Sequence, residues 1–412
     1  MRCLHVAALP FPSPQGTQAA IRAMLDALVG AGHETHLLTY AHGQDTRSFR
    51  FNHHRANGPS LTHSMRSGPS LAKVGQDLAL AKDVRALVRT IAPDVVIAHH
   101  VEAAIVCAGL SCASAFVAHT ALEWELASYL KPAFAGCASA AGRATDGMAL
   151  HAHGACAAIA PALADHLKRT HRRAVRYLPL PWNVAAESTA LARDAARAHY
   201  GLARDAHVIA YLGNLDLYQG LPQLLDAFTR VHHLDSSSRL VIATASGQKP
   251  VAHTIDSHPA RAQILVLSLG EEESRARVHA LADVIAVPRA IQGGIPVKLL
   301  DAFARGKAVV TVERAVAQLR AAGSCVVCPN DDVDAFSSAL LELLRDDAKR
   351  ESLARNGRAY LESAHNDGVF LAGFDALCDD ALHQGKRAAW STTSASVVSV
   401  ERDRNSAGVH QP

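Results

Sequence analysis

Ile291–Gly306 reads IQGGIPVKLLDAFARG, and its punctuation is that of a loop opening into a short helix. Pro296 suits the first turn and Gly306 the C-terminal exit, so the spacing predicts a helix of about ten residues. Gly293 and Gly294 stand just before it, where a ligand can approach backbone N–H groups that no earlier helical turn satisfies. Lys298 and Asp301 are three positions apart and share a face. Read physically this is a diphosphate site: helix amides and Lys298 face the phosphates, and Asp301, one turn deeper, accepts two hydroxyl hydrogen bonds from a ribose. From these residues alone, an ordinary αβ unit with a surface lysine and aspartate is an equal reading.

Asp283–Val287, with Arg289 just beyond it, and Ala308–Val312 flank this stretch as short apolar runs of the kind that form buried strands. His207–Leu212, Arg239–Thr244, Ile264–Leu267 and Cys325–Cys328 continue the pattern, with helical segments between them. The first half repeats the architecture but not the sequence. Its strands are expected at Cys3–Leu9, Glu34–Tyr40, Asp94–Ala98, Ala115–His119, Ala157–Ala160 and Arg176–Leu178, with helical patterns over Ala19–Val29 and Leu78–Ile91. A polar, Gly- and Ser-containing stretch from His42 to Ala72 interrupts it. Strands spaced by helices imply an α/β class with parallel sheets and right-handed crossovers.

The prolines of Leu178–Asn183, LPLPWN, fall where a strand should end and set the boundary between a domain over 1–182 and one over 183–365. Val369–Leu382, with Phe370, Phe374 and Leu377 on one face, is expected to be a docking helix within 366–383. Residues 384–412 lack any period and are expected to form a disordered tail.

Composition agrees with two domains, since 412 residues exceed the about 250 to 300 at which one core stops growing. The formal charge of +3, from 41 basic and 38 acidic residues, provides no basic field for nucleic acid. The 24 histidines include the pairs His53-His54, His99-His100 and His232-His233 but no HExxH rhythm. Among 8 cysteines only Cys325 and Cys328 are close, with no second CxxC, so no metal site is expected. The N-terminal MRCLHVAALPFPSPQG lacks a cleavage pattern, and no run approaches the ~18 apolar residues of a spanning helix. A cytoplasmic location is therefore expected.

In open parallel sheets, ligands collect outside the carboxyl ends of the strands. The loop there after the first strand, PSPQGTQ over 12–18, is not GxGxxG, which removes most support for dinucleotide-dependent hydride transfer. Gly16 lets backbone amides approach a phosphate, or simply turns the chain. In YLGNLDLYQGLPQLLDAF, residues 211–228, Gly213 frees the backbone at a strand end, and Asn214 and Gln219 offer amides to a ligand. His99 and His100 end a strand at the cleft edge, to touch acceptor or sugar or to cap the sheet. Glu123 and Glu125 are two apart and face different ways on a helix, with Glu125 the candidate acceptor-side carboxylate.

GNLDLYQGLPQLLDAF and GGIPVKLLDAFARGKAVV, supported by FPSPQGTQ, PDVVIAHH, AHTALEWELASYL and DVIAVPR, resemble in this order glycosyltransferase family 4, a large group of retaining enzymes with the GT-B fold. The resemblance covers nearly the whole chain. It implies two Rossmann-like domains with an interdomain cleft, and transfer of a sugar from a nucleotide diphosphate donor to a saccharide or lipid-linked acceptor, as in surface polysaccharide synthesis. No metal or other cofactor is implied, and no nucleic acid; peripheral membrane association where the acceptor resides is compatible with it. His119 corresponds to a histidine beside the donor sugar and joins Lys298 and Asp301 as the implied catalytic set. Gly16, Gly213, Asn214, Gln219, Arg289, Gly293 and Gly294 are implied on the donor side, and His99, His100 and Glu125 on the acceptor side.

This chain departs from the family pattern at two places. Members commonly hold the ribose with the second of two glutamates separated by seven residues; here Asp301 takes the second place and Gly293 the first. An Arg and a Lys common in the Gly213 loop are replaced by Asn214 and Gln219, leaving Lys298, the helix dipole and Arg289 to hold the diphosphate. The competing readings are a nucleotide-sugar epimerase or a phosphorylase, and a catalytically inert GT-B-like binding partner that has lost its phosphate clamp.

Overall fold

The computed structural model describes residues 1–13, 15–43, 48–58, 71–185, 189–245, 252–270, 272–316, 319 and 323–384. The stretch expected to be a disordered tail lies, from 385 onward, outside the described residues.

Seven strands form the first sheet: β1 Arg2–Ala7, β2 Glu34–Thr39, β3 Asn52–Arg55, β4 Val95–His99, β5 Ser114–Ala118, β6 Ala155–Ala158 and β7 Arg176–Tyr177. Their order is β3-β2-β1-β4-β5-β6-β7, and every pairing is parallel. The second sheet holds β8 His207–Leu212, β9 Ser238–Thr244, β10 Ile264–Ser268, β11 Val284–Val287, β12 Ala308–Val312 and β13 Val326–Cys328, in the order β10-β9-β8-β11-β12-β13. Central strands such as β4 and β11 are buried along their whole length because helices cover both faces, which is why they read as unbroken apolar runs.

One strand was not expected. β3, NHHR, has no apolar alternation to announce it and sits half exposed at the sheet edge. It is held by side chains: His36 Nδ1 and His54 Nε2 lie 3.0 Å apart, and Thr39 Oγ1 and His53 Nε2 2.9 Å. The helix after β1, Gly16–Gly30, buries Ile21, Met24, Leu25 and Leu28 as its apolar spacing requires. The stretch at Ile291–Gly306 forms a helix over Val297–Ala304, eight residues long. Pro296 caps that helix in extended conformation, outside the first turn where it was expected, and Gly306 ends it at φ 64.

Strand order reverses between β1 and β4 in the first sheet and between β8 and β11 in the second, and ligands of such sheets bind outside these switch points. The Gly213 loop follows β8 and Arg289 follows β11; the Gly16 loop follows β1 and His100 follows β4. The second domain closes on the first at this level. Val297 lies 3.5 Å from where a Cβ on Gly16 would be.

A last helix over residues 367–384 returns to the first domain. Phe370, Phe374 and Leu377 are fully buried on its inner face. Phe374 stacks on His5 at 6.0 Å and meets His33 edge-on at 6.2 Å, and Arg176 pairs with Asp380 at 2.5 Å. At the crossing, His365 Nδ1 donates to the Leu180 carbonyl at 2.8 Å and the Trp182 amide donates to the His365 carbonyl at 2.7 Å. Truncating a buried aromatic removes both transfer free energy and packing, so Phe374→Ala should cost about 3–5 kcal/mol. Denaturant unfolding followed on the first domain reads this directly; a loss under about 1 kcal/mol would mean that the helix is not anchored there.

Candidate active site

The switch point of the second sheet brings Lys298 and Arg289 together. Lys298, in the first turn of helix Val297–Ala304, places Nζ 3.0 Å from Tyr211 Oη, 2.8 Å from Gln219 Oε1 and 4.1 Å from the centre of the Tyr211 ring. Burial, with the Arg289 charge adding to it, holds the Lys298 ammonium well below the ordinary lysine value. Arg289 is itself desolvated, lies 5.8 Å over the Tyr218 ring, and has an Nε with no hydrogen-bond partner among the described residues. Neither cation has a carboxylate within ion-pair distance among the described residues. Burial disfavours the charged form of both groups, and an anion at this helix N-terminus would restore it.

The glycines here are spaces as much as turns. A Cβ on Gly213 would stand 2.7 Å from Lys298 Nζ, and one on Gly293 2.4 Å from Arg289 Nη2, so each keeps a cation close to the backbone. Gly294 faces the other domain: a Cβ there would meet the His119 carbonyl oxygen at 2.4 Å and Ile159 at 3.1 Å. A small pocket opens beside Gly293 between Ala160 and Ala162 of the first domain and Glu313 and Arg314 of the second.

On the first domain, His119 stands just past β5 with His100 stacked on it at 4.8 Å. Burial, reinforced by His100, keeps the His119 imidazole neutral at ordinary pH. Glu125, on helix Leu122–Ser128, accepts from Tyr129 Oη at 3.1 Å; burial and the neighbouring Glu102 raise its pKa, with Arg289 opposing them from across the cleft. As its position on the helix requires, Glu123 faces elsewhere, bound by Arg143 at 2.5 Å and His166 at 3.0 Å.

The chain matches the glycosyl transferases group 1 family over residues 192–360. Solved structures carry the likeness over both domains. The chain superposes on sucrose-phosphate synthase from Thermosynechococcus elongatus with TM-score 0.75 and 15% identity, covering 96% of this chain and 100% of that one. For WaaG, a glycosyltransferase involved in lipopolysaccharide biosynthesis, the values are 0.69 and 14%, over 92% and 99%. For Anabaena Alr3699/HepE in complex with UDP-glucose they are 0.71 and 12%, over 92% and 100%. No curated protein sequence matches the chain. The fold is GT-B, as the two sheets indicate.

Three residues stand otherwise than their sequence suggests. His99 is not at the cleft edge: it ends the central strand β4, is fully buried, and uses both ring nitrogens on His5 and His119. The Asn214 amide nitrogen is taken, donating to Asp216 at 2.8 Å and to Tyr218 Oη at 3.0 Å, while its Oδ1 has no partner among the described residues; Gln219 Oε1 accepts from Lys298. Asp301 is a buried counter-ion and not an open ribose acceptor. Its oxygens accept from His279 Nε2 at 3.0 Å and Arg305 Nε at 3.1 Å, with Arg275 at 3.6 Å. An aspartate reaches one methylene less than the usual glutamate, which leaves this carboxylate among the cations behind the helix.

Burial alone would raise the Asp301 pKa, but the His279 hydrogen bond and the Arg305 and Arg275 charges outweigh it and hold the carboxyl far below its ordinary value. A depressed carboxyl pKa contributes stability that is present above the unfolded value and lost as pH falls toward the folded one. Asp301→Asn should therefore cost about 3–5 kcal/mol near neutrality, by leaving buried cations uncompensated, and should flatten the acid limb. Urea midpoints between pH 3 and 7 check this; parallel curves for the two proteins would assign the acid sensitivity elsewhere.

Proposed function

We propose that this protein is a glycosyltransferase that moves a sugar from a nucleotide diphosphate donor to a hydroxyl of a saccharide or lipid-linked acceptor, with retention of anomeric configuration. The observation that carries the reading is the pair Lys298 and Arg289, buried together at the switch point with no carboxylate in ion-pair distance of either among the described residues. Related folds in complex with UDP and UDP-glucose, and a starch synthase bound to ADP and acarbose, support a nucleotide donor at this level.

In this reading the two cations and the Val297 amide stabilise the diphosphate as the anomeric bond lengthens, in the place where other transferases use a divalent cation. His119 hydrogen-bonds the donor sugar, and the acceptor enters past Glu125 and His100 to attack on the face the diphosphate leaves. Asp301 acts behind the site by fixing the helix that carries Lys298. A lipid-linked acceptor would be met at a membrane surface by the enzyme in the cytoplasm; among the described residues no helix is long and apolar enough to cross a membrane.

The test is a panel of UDP-, ADP- and GDP-sugars assayed for nucleotide release, with EDTA present and absent. Release from one donor, unchanged by EDTA, is the expected result. Nucleotide binding without turnover of any donor or acceptor would favour the inert binding partner; epimerised sugar still joined to its nucleotide would favour an epimerase.

A further inference from the structure

Helix Leu122–Ser128 begins just past His119 and carries Glu125, so its first turn sets the place of both. Its N-cap residue is Ala121, fully buried and with no side chain able to accept a hydrogen bond. Alanine is a poor residue at that position, because it leaves the first N–H groups of the helix without a local partner. The partner comes from helix Ala135–His151: Asp146 Oδ1 accepts from the Leu122 amide and Oδ2 from the Glu123 amide, both at 3.0 Å. Gly142, one turn earlier on the same face, makes the approach possible. A Cβ there would stand 2.6 Å from the Leu122 carbonyl oxygen and 2.7 Å from the Glu123 nitrogen.

Asp146 is 2% exposed, and a carboxylate is a costly group to bury. Its two oxygens give each amide an acceptor, whereas an asparagine would turn an NH2 group toward one of the two N–H donors. Burial raises the Asp146 carboxyl to about 6; the two amides work against burial, and the Glu123 and Glu125 charges add to it. Above that value both oxygens accept, and below it a proton occupies one of them and weakens one of the two bonds. The surrounding charges are few. Glu123 is bound by Arg143, from the same helix as Asp146, and by His166 from helix Pro161–His171. His171 of that helix would meet a Cβ on Gly147 at 3.0 Å, and helix His100–Val106 brings Glu102, whose charge acts on Glu125.

We propose that Asp146 is a positioning residue that, through the Leu122 and Glu123 amides, holds the segment from His119 to Glu125 where it meets the substrate. What that segment meets rests on the reading of the site as a sugar-nucleotide cleft; the anchoring by Asp146 does not. One carboxylate on a neighbouring helix thus fixes two groups that the first domain presents to the cleft, and it does so fully only while ionised.

The experiment uses full-length protein labelled with ¹⁵N-glutamate and ¹⁵N-histidine, with Glu123→Gln and His119→Gln assigning the resonances. Without any ligand, the Glu123 amide of the unsubstituted protein should titrate with a midpoint near pH 6, and the His119 ring resonances should shift with it. The titration should persist in His166→Gln, which removes the neighbouring imidazole, and vanish in Asp146→Asn. With UDP-glucose as probe, Asp146→Asn should lower kcat for nucleotide release about tenfold at pH 8, with UDP affinity within about twofold. At pH 5 the deficit should close to within about twofold, because the unsubstituted protein has lost the same hydrogen bond. A Glu123 amide that does not titrate near pH 6, or that titrates equally in Asp146→Asn, overturns the proposal. So does a His119 ring unmoved by the transition, or a rate deficit equal at both pH values. The titration of the unsubstituted protein needs no turnover, so it decides even if UDP-glucose is not the donor or Asp146→Asn does not fold.

Discussion

Lys298→Ala is expected to weaken binding of UDP, or of ADP or GDP if one of these is the cognate nucleotide, by about 100-fold. A hydrogen bond to a charged group contributes about 1.5 to 3 kcal/mol, and the upper figure corresponds to a little over two decades in affinity. The upper figure applies because the ammonium is buried, and because the loop residues at Asn214 and Gln219 bring no charge to share the load. A second consequence follows from the depressed Lys298 pKa. A diphosphate beside Nζ raises it, so between the free and bound values nucleotide binding takes up a proton, and affinity falls as pH rises through that window. Calorimetry in two buffers of different ionisation enthalpy should give different binding heats for the unsubstituted protein and equal heats for Lys298→Ala. Retention of affinity within about twofold in Lys298→Ala would remove Lys298 from the phosphate site.

Gly294→Ala should separate binding from turnover. The added methyl would stand 2.4 Å from the His119 carbonyl oxygen, which is backbone and cannot swing aside, and 3.1 Å from Ile159. The domains must then stop short of the closed arrangement. A displacement of about 1 Å between the groups of a composite site costs on the order of 100-fold in rate. Lys298 and Arg289 lie on the second domain alone, so nucleotide affinity should remain near that of the unsubstituted protein while kcat falls by that factor. Equal losses of affinity and rate would mean that Gly294 serves the fold of the donor loop and not the closure.

The sequence exposes some of these features and hides others for physical reasons. Buried parallel strands announce themselves, because a strand covered on both faces must be apolar throughout; β4, β11 and β12 follow that rule, and β3, an edge strand of histidines, does not. Lys298 was legible because proline, glycine pair and helix fix its place locally. The fate of Asp301 was not, since its partners His279, Arg275 and Arg305 come from helix Glu272–Leu281 and from its own helix's end, and no spacing rule joins them. The contact of His99 with His5 and His119 is equally invisible along the chain. It exists only through the registers of β1, β4 and β5, and the one signal for it is a histidine in or just beyond each of three central strands.

The most direct measurement is a crystal structure of the protein soaked with UDP. The account predicts the pyrophosphate between Lys298 Nζ and the Arg289 guanidinium, against the backbone of Gly213 and Gly293, with Lys298 drawn from Gln219 toward a phosphate oxygen. A pyrophosphate bound elsewhere, with Lys298 still held by Tyr211 and Gln219, would contradict it.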